Sequence, residues 1–160
     1  MNNTNLIGLD NHGAEQLSAQ LNDLLANYQI LYMNVRGFHW NIKGADFFEL
    51  HTKFEEIYTL LLEKVDEIAE RVLTLGHQPL HAFSDYLQLS EIHEAVQVSS
   101  GSQGIDLLLD GYRVLIRKQR AILEAAAALG DEGTASLMSD YLSQQEKESW
   151  MLAAYRGRSA

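Results

Sequence analysis

"FFELHTKFEEIYTLLLEKVDEIAERVLTL", residues 47–75, carries apolar side chains at Phe47, Leu50, Phe54, Ile57, Tyr58, Leu61, Val65, Ile68, Val72 and Leu75. The steps are threes and fours, the pattern of a long helix that buries one face. Asp46 stands where an N-cap belongs. "GHQP" at 76–79 ends the helix, with glycine just past the last turn and proline soon after.

Working outward, the same spacing recurs upstream at Leu17, Leu21, Leu24, Leu25, Tyr28, Leu31, Tyr32, Val35 and Phe38, until Gly44 interrupts it. Downstream, residues 77–101 read as a long connection. It holds one short helical candidate, "FSDYLQLS", and ends in "SSGSQG". A third helix carries Ile105, Leu108, Leu109, Tyr112, Leu115, Ile116, Ile122, Leu123 and Leu129, "LGDEGT" makes a corner, and a fourth runs from about Thr134 to Tyr155. No alternation of period two competes. The expected fold is an all-α, ferritin-like four-helix bundle, with a short extra helix in the long connection that crosses it. One domain should span 1–160, with about residues 1–13 as a flexible N-terminal arm.

The totals narrow the function. One proline, Pro79, permits long helices, and the absence of cysteine excludes disulfides and thiolate metal sites. Apolar residues make up 46% and charged residues 21%, an ordinary globular balance. No basic or apolar leader opens the chain and no apolar run approaches the roughly 20 residues that span a bilayer, so the expectation is a cytoplasmic protein. The formal charge is -10, and the first Lys or Arg is Arg36. Such a field repels polyanions and attracts metal cations.

A di-iron site inside a bundle needs Glu three residues before His on two helices. The residues three before the six histidines are Leu9, Arg36, Phe48, Thr74, Gln78 and Ser90, so that pattern is absent. "HEAVQ" at 93–97 lacks the second histidine of a zinc protease, and "GSQG" lacks the context of a phosphate loop. His12, His77, His81 and His93 read as solvated or capping residues.

His39 and His51 are different, because they bracket the corner "RGFHWNIKGADFFELH", residues 36–51. On a helical wheel with His51 at zero, Glu55 falls near ~40°, Asp66 near ~60° and Glu70 near ~100°, all on one border of the buried face. Asp66 and Glu70 are one turn apart. His51 and Asp66 are separated by about 22 Å along the axis, too far to share an ion within one chain. Either a second, antiparallel copy brings them together, or these residues form no such site. In the latter case the acids meet solvent and the histidines cap the corner.

These residues carry a resemblance. His39–Trp40, a histidine twelve positions later at His51, then Asp66 and Glu70, within "RGFHWNIKGADFFELHTKFEEIYTLLLEKVDEIAERV", resemble the Dps family of mini-ferritins, named as DNA-binding proteins from starved cells. The resemblance covers nearly the whole chain. It implies a hollow homo-oligomer, a dodecamer, with ferroxidase sites between subunits. His39 and His51 would come from one chain, Asp66 and Glu70 from the other, and Glu55 would be a nearby acid. The implied substrates are Fe(II) and, preferably, hydrogen peroxide, with ferric mineral stored inside as protection from oxidative stress. Zn(II) or Mn(II) could take the same N and O donors. Trp40 would serve as an electron donor or as interface packing. Acids of "GDEGTASLMSD", Asp131, Glu132 and Asp140, would line an entry pore, or simply favour a helix N-terminus. Glu56, Glu63 and Glu67 would face the cavity.

The chain departs from the family pattern in its ends. The N-terminal arm lacks cations, and "YRGRSA" offers just Arg156 and Arg158. DNA binding is therefore expected to be weak or absent. The alternatives are a nucleoid-associated, DNA-condensing protein with secondary iron binding, and a purely structural helical shell.

Overall fold

The computed structural model describes residues 3–159. Five helices follow one another: α1 (Asn11–Asn41), α2 (Phe47–Thr74), α3 (Phe83–Leu89), α4 (Gly101–Leu129) and α5 (Glu132–Tyr155). The four long ones form the bundle and α3 is the short extra helix, as the apolar spacing requires. No strand occurs among the described residues. The expected domain also takes in residues 1, 2 and 160, which lie outside them.

Two helix starts differ from the sequence reading. Helix α1 begins at Asn11, six residues before the first periodic leucine, because the Asp10 carboxylate accepts from the Gly13 N–H at 2.9 Å. Residues 11–13 of the expected arm are thus helical. Ahead of them, Asn5 folds a turn by accepting from the Leu9 N–H at 2.9 Å, and its amide donates to the Leu75 carbonyl at 3.2 Å. Helix α4 begins at Gly101, inside the expected connection, with the Ser100 hydroxyl accepting from Gln103 N–H. Glycine suits this start, since a Cβ on Gly101 would lie 2.3 Å from Leu50 Cδ1. Asp46 does stand at the N-cap of α2, but its side chain makes no capping bond.

Helix α2, at 28 residues, runs about 42 Å. Lys43, just before it, pairs with Ser100, just before α4, so both helices start at the same end of the bundle. The 77–100 segment must therefore travel back along the whole length. Three asparagines of α1 guide it. Asn22 accepts from Leu80 N–H and donates to the Gln78 carbonyl. Asn27, fully buried, accepts from the Ser90 hydroxyl and from the Glu91 and Ile92 N–H groups. Asn34 accepts from Ala95 N–H and donates to the His93 carbonyl. On either side of α3 the connection thus satisfies its polar backbone against side chains of α1.

At the bundle centre, Tyr28 donates to Gln119 Oε1 at 2.5 Å and accepts from Gln145 Nε2 at 2.7 Å, while Gln119 donates to Gln145 at 2.8 Å. The ring closes on itself and carries no charge.

Candidate metal centre

The histidine pair is the best-defined part of the candidate site. His39 lies in the last turn of α1 and His51 in the second turn of α2, and the 42–46 corner, with Gly44 at φ +115°, folds one onto the other. His39 Nδ1 donates to the His51 carbonyl at 2.6 Å, and His51 Nδ1 donates to the His39 carbonyl at 2.7 Å. A carbonyl can only accept, so each Nδ1 carries hydrogen, and in the neutral ring the lone pair then belongs to Nε2. That is the tautomer a metal-binding imidazole needs, with its orientation fixed by the bond on the other nitrogen. The rings stack at 3.8 Å with 12° between planes. Phe47 covers the outer face of His51 at 4.9 Å, and Tyr58 meets His39 edge-on at 5.3 Å.

Asp66 and Glu70 stand one turn apart on the exposed border of α2, and Glu55 is exposed on the same helix. Within one chain the histidines do not meet these acids. Among the described residues, no group of three or more His, Asp or Glu side chains could hold a metal ion. The chain therefore presents two imidazoles at the start of α2 and two carboxylates further along it. Trp40 is 58% exposed, and the Arg36 guanidinium lies over it at 5.3 Å.

The acidic corner divides. Asp131 is 3% exposed and caps α5, accepting from Thr134 N–H at 3.0 Å and from the Thr134 hydroxyl, and it pairs with Arg71 at 2.6 Å. Its charge is neutralised inside the chain, which removes it from the pore expected of it. Glu132 and Asp140 are exposed. Of the acids expected at the cavity, Glu67 accepts from the Tyr141 hydroxyl at 2.5 Å, Glu56 lies 3.5 Å from Lys53, and Glu63 is exposed.

Two features were missed in the sequence. Tyr58 read as core, yet it is the wall of His39. Arg36 lies among the rings of Tyr58, Trp40 and Tyr32, at 5.0, 5.3 and 5.9 Å. The spacing of Tyr32, Arg36 and Trp40, four apart on one helix, was the available signal. Beside this cluster an apolar groove of about 330 Å³ opens between α1 and α3, with Met33, Phe83 and Leu87 exposed along it.

The tail arginines are engaged. Arg156 donates to both Asp106 oxygens, at 3.0 and 3.1 Å, and Arg158 lies 3.2 Å from the same carboxylate. The Arg156 hydrogen bonds hold the Asp106 carboxyl below the usual range, and the charges of both arginines add to this. Among the described residues, no helix is long and apolar enough to cross a membrane.

Comparison with known proteins agrees with this architecture. Residues 18–159 match the family model of the ferritin-like domain. A "DNA protection during starvation protein" of Porphyromonas gingivalis is 44% identical over 84% of this chain and 85% of its own length. An uncharacterised Haemophilus influenzae protein is 53% identical over 92% of both. The crystal structure of a Vibrio cholerae Dps protein, described as a member of a broad superfamily of ferritin-like diiron-carboxylate proteins, superposes with a TM-score of 0.95. It is 55% identical over 96% of both chains. A Bacillus brevis Dps protein gives 0.87 at 32% identity, covering 90% of this chain and 97% of its own.

Proposed function

Taking as premise that the chain belongs to the Dps family of ferritin-like proteins, we propose that it oxidises Fe(II), with hydrogen peroxide as preferred oxidant, and stores the ferric product inside a hollow homo-oligomeric shell. His39 and His51 of one chain would face Asp66 and Glu70 of an antiparallel second copy, with Glu55 close by. The shell would be a dodecamer, working in the cytoplasm against oxidative stress.

The observation that carries this reading is the reciprocal lock on the two histidines. Two imidazoles fixed with Nδ1 as donor present two unused Nε2 lone pairs, and capping a corner requires no such arrangement. The acids supply the other half of the chemistry. Imidazole suits Fe(II), while carboxylate oxygens favour the Fe(III) product and so pull the oxidation forward. Peroxide takes two electrons and two protons and leaves as two waters, so two ferrous ions are consumed per peroxide. Zn(II) or Mn(II) would compete for the same donors. Trp40, on the rim beside His39, is a candidate electron donor. Glu132 and Asp140 are the acids left to attract iron to an entry pore. The exposed apolar groove between α1 and α3 gives a second copy something to bury.

The test is stopped-flow absorbance after mixing anaerobic Fe(II)-loaded protein with peroxide. His39→Ala and Asp66→Ala should each slow oxidation at least as much as the roughly 10–100-fold that loss of a mere supporting contact costs at metal sites. Equal rates in native protein and both variants would remove these residues from the site.

The competing reading, a DNA-condensing protein, is weakened by the tail. Arg156 and Arg158 already share one carboxylate, Asp106, and the chain as a whole is acidic. Little or no DNA binding is expected at physiological salt; a salt-resistant plasmid gel shift would favour the competitor.

A further inference from the structure

The end of the bundle where α1 begins carries an apolar tip and an apolar groove that do not meet within one chain. Ahead of α1, residues 3–10 close into a turn. The Asn5 N–H donates to the Leu9 carbonyl at 2.8 Å, the Gly8 N–H to the Asn5 carbonyl at 3.1 Å, and the Asn11 N–H to the Asn3 carbonyl at 2.9 Å. The Asn5 side-chain oxygen accepts from the Ile7 and Leu9 N–H groups at 3.2 and 2.9 Å. Gly8 stands at φ +84°, a left-handed conformation that glycine adopts without strain. The Asn5 amide ties the turn to the Leu75 carbonyl, and Leu9 packs against the core. Leu6 is left fully exposed at the tip, with Ile7 exposed beside it. A loose segment could fold such a leucine back onto its own chain, but here the backbone hydrogen bonds hold it away.

A groove of about 560 Å³ runs between α1 and α4 at the same end. Its lining is Gly13, Leu17, three alanines and Leu129, with Gln16 and Gln20 as the polar side chains. Leu129, at the end of α4, is seated on Gly13 in the first turn of α1, where a Cβ would lie 2.4 Å from Leu129 Cδ1. No charged side chain lines the groove, and the tip, "NLIGL" at 5–9, is uncharged as well. Two copies of a chain with formal charge -10 repel each other wherever their acids face. The uncharged tip and the uncharged groove are surfaces that two copies can bring together without that penalty. A tip already held in shape also loses little freedom on docking.

We propose that the Leu6–Ile7 tip of one copy docks in the α1–α4 groove of a second copy. Each chain gives a tip and receives one at the same end. The contact therefore joins unlike patches, and it closes into a ring around the bundle end that carries Glu132, the first residue of α5. It is separate from the groove beside α3 and does not depend on the ferroxidase reading.

The absence of native cysteine makes the test direct. Full-length Ile7→Cys/Ala128→Cys, with Leu6 kept, is treated with a short bis-maleimide and run on a denaturing gel. The chains should join into a ladder that ends at one size. Leu6→Asp in the same background should abolish the ladder. So should moving the second cysteine from Ala128 to Ser143, an exposed position outside the groove. Leu6→Asp alone should lower the mass measured by light scattering and leave helical circular dichroism unchanged, because the residue is fully exposed in its own chain. No ladder in the double variant, as expected if the tip faces a different partner, would overturn the contact. So would a ladder that survives Leu6→Asp or has no end, an unchanged mass for Leu6→Asp, or linked pairs from Ile7→Cys alone, in which tip meets tip. Iron takes no part in these measurements, so they stand or fall separately from iron oxidation by His39→Ala.

Discussion

Single side chains decide more here than helix propensity does. Asn27 holds three donors of the long connection. Asn27→Ala would leave the Glu91 N–H without an acceptor, while the Ser90 hydroxyl keeps the Ile92 carbonyl and the Ile92 N–H keeps the Ser90 hydroxyl, at about 1–3 kcal/mol. A urea melt should show the midpoint falling with little change in slope. Asp131 shows how a residue can be misread from sequence. An acidic corner looks like a solvated helix start or a pore, and nothing in "LGDEGT" reveals that Arg71, sixty residues away, closes over it. Asp131→Ala removes both a cap and one partner of a buried ion pair, so about 3 kcal/mol of stability should go. Asp140→Asn, at an exposed position, should leave the melt unchanged while slowing iron uptake if the pore assignment is right.

Among the elements, the helices were legible because each long one buries a stripe, and a stripe repeats in sequence. Two of their starts were not. The start of α4 hides in "SSGSQG", where small residues suggest a loop until Leu50 is seen packed against Gly101. The same logic sets the distance between α1 and α4 at Gly111, where a Cβ would lie 2.6 Å from Leu31 Cδ1. Gly111→Ala tests it. Alanine's helix propensity favours the change by about 1 kcal/mol, whereas overpacking a filled core costs about 1–3 kcal/mol. A net loss is expected, visible as a lower thermal midpoint. The spacing of His39 and His51 was readable, but their mutual hydrogen bonds were not, because the acceptors are backbone carbonyls, which every residue has.

For the whole molecule, charge and assembly govern. Asp106 has its folded pKa held below the ordinary carboxylate value by Arg156, so its contribution to stability is present above that ordinary value. It is lost as pH falls through the lowered folded value. The stability difference between native protein and Asp106→Asn should therefore shrink in acid, in a pH series of denaturant melts. At neutral pH the same substitution frees Arg156 and Arg158, and any DNA retardation should rise only at low salt. Assembly has its own signature. Shells reconstituted from a mixture of His51→Ala and Asp66→Ala chains should recover part of the oxidation rate that each pure variant lacks, because some interfaces then pair an intact histidine end with an intact acid end.

The uncharged triangle of Tyr28, Gln119 and Gln145 has a consequence beyond packing. A triangle without charge offers an ion nothing there, and the site proposed above lies instead at the rim, where one chain would hold only half of what is needed. On the proposed reading, a newly made chain is inert toward iron until it finds a second. Turnover should then rise with the square of chain concentration under dissociating conditions, and a cell would not be exposed to half-built oxidation centres during synthesis.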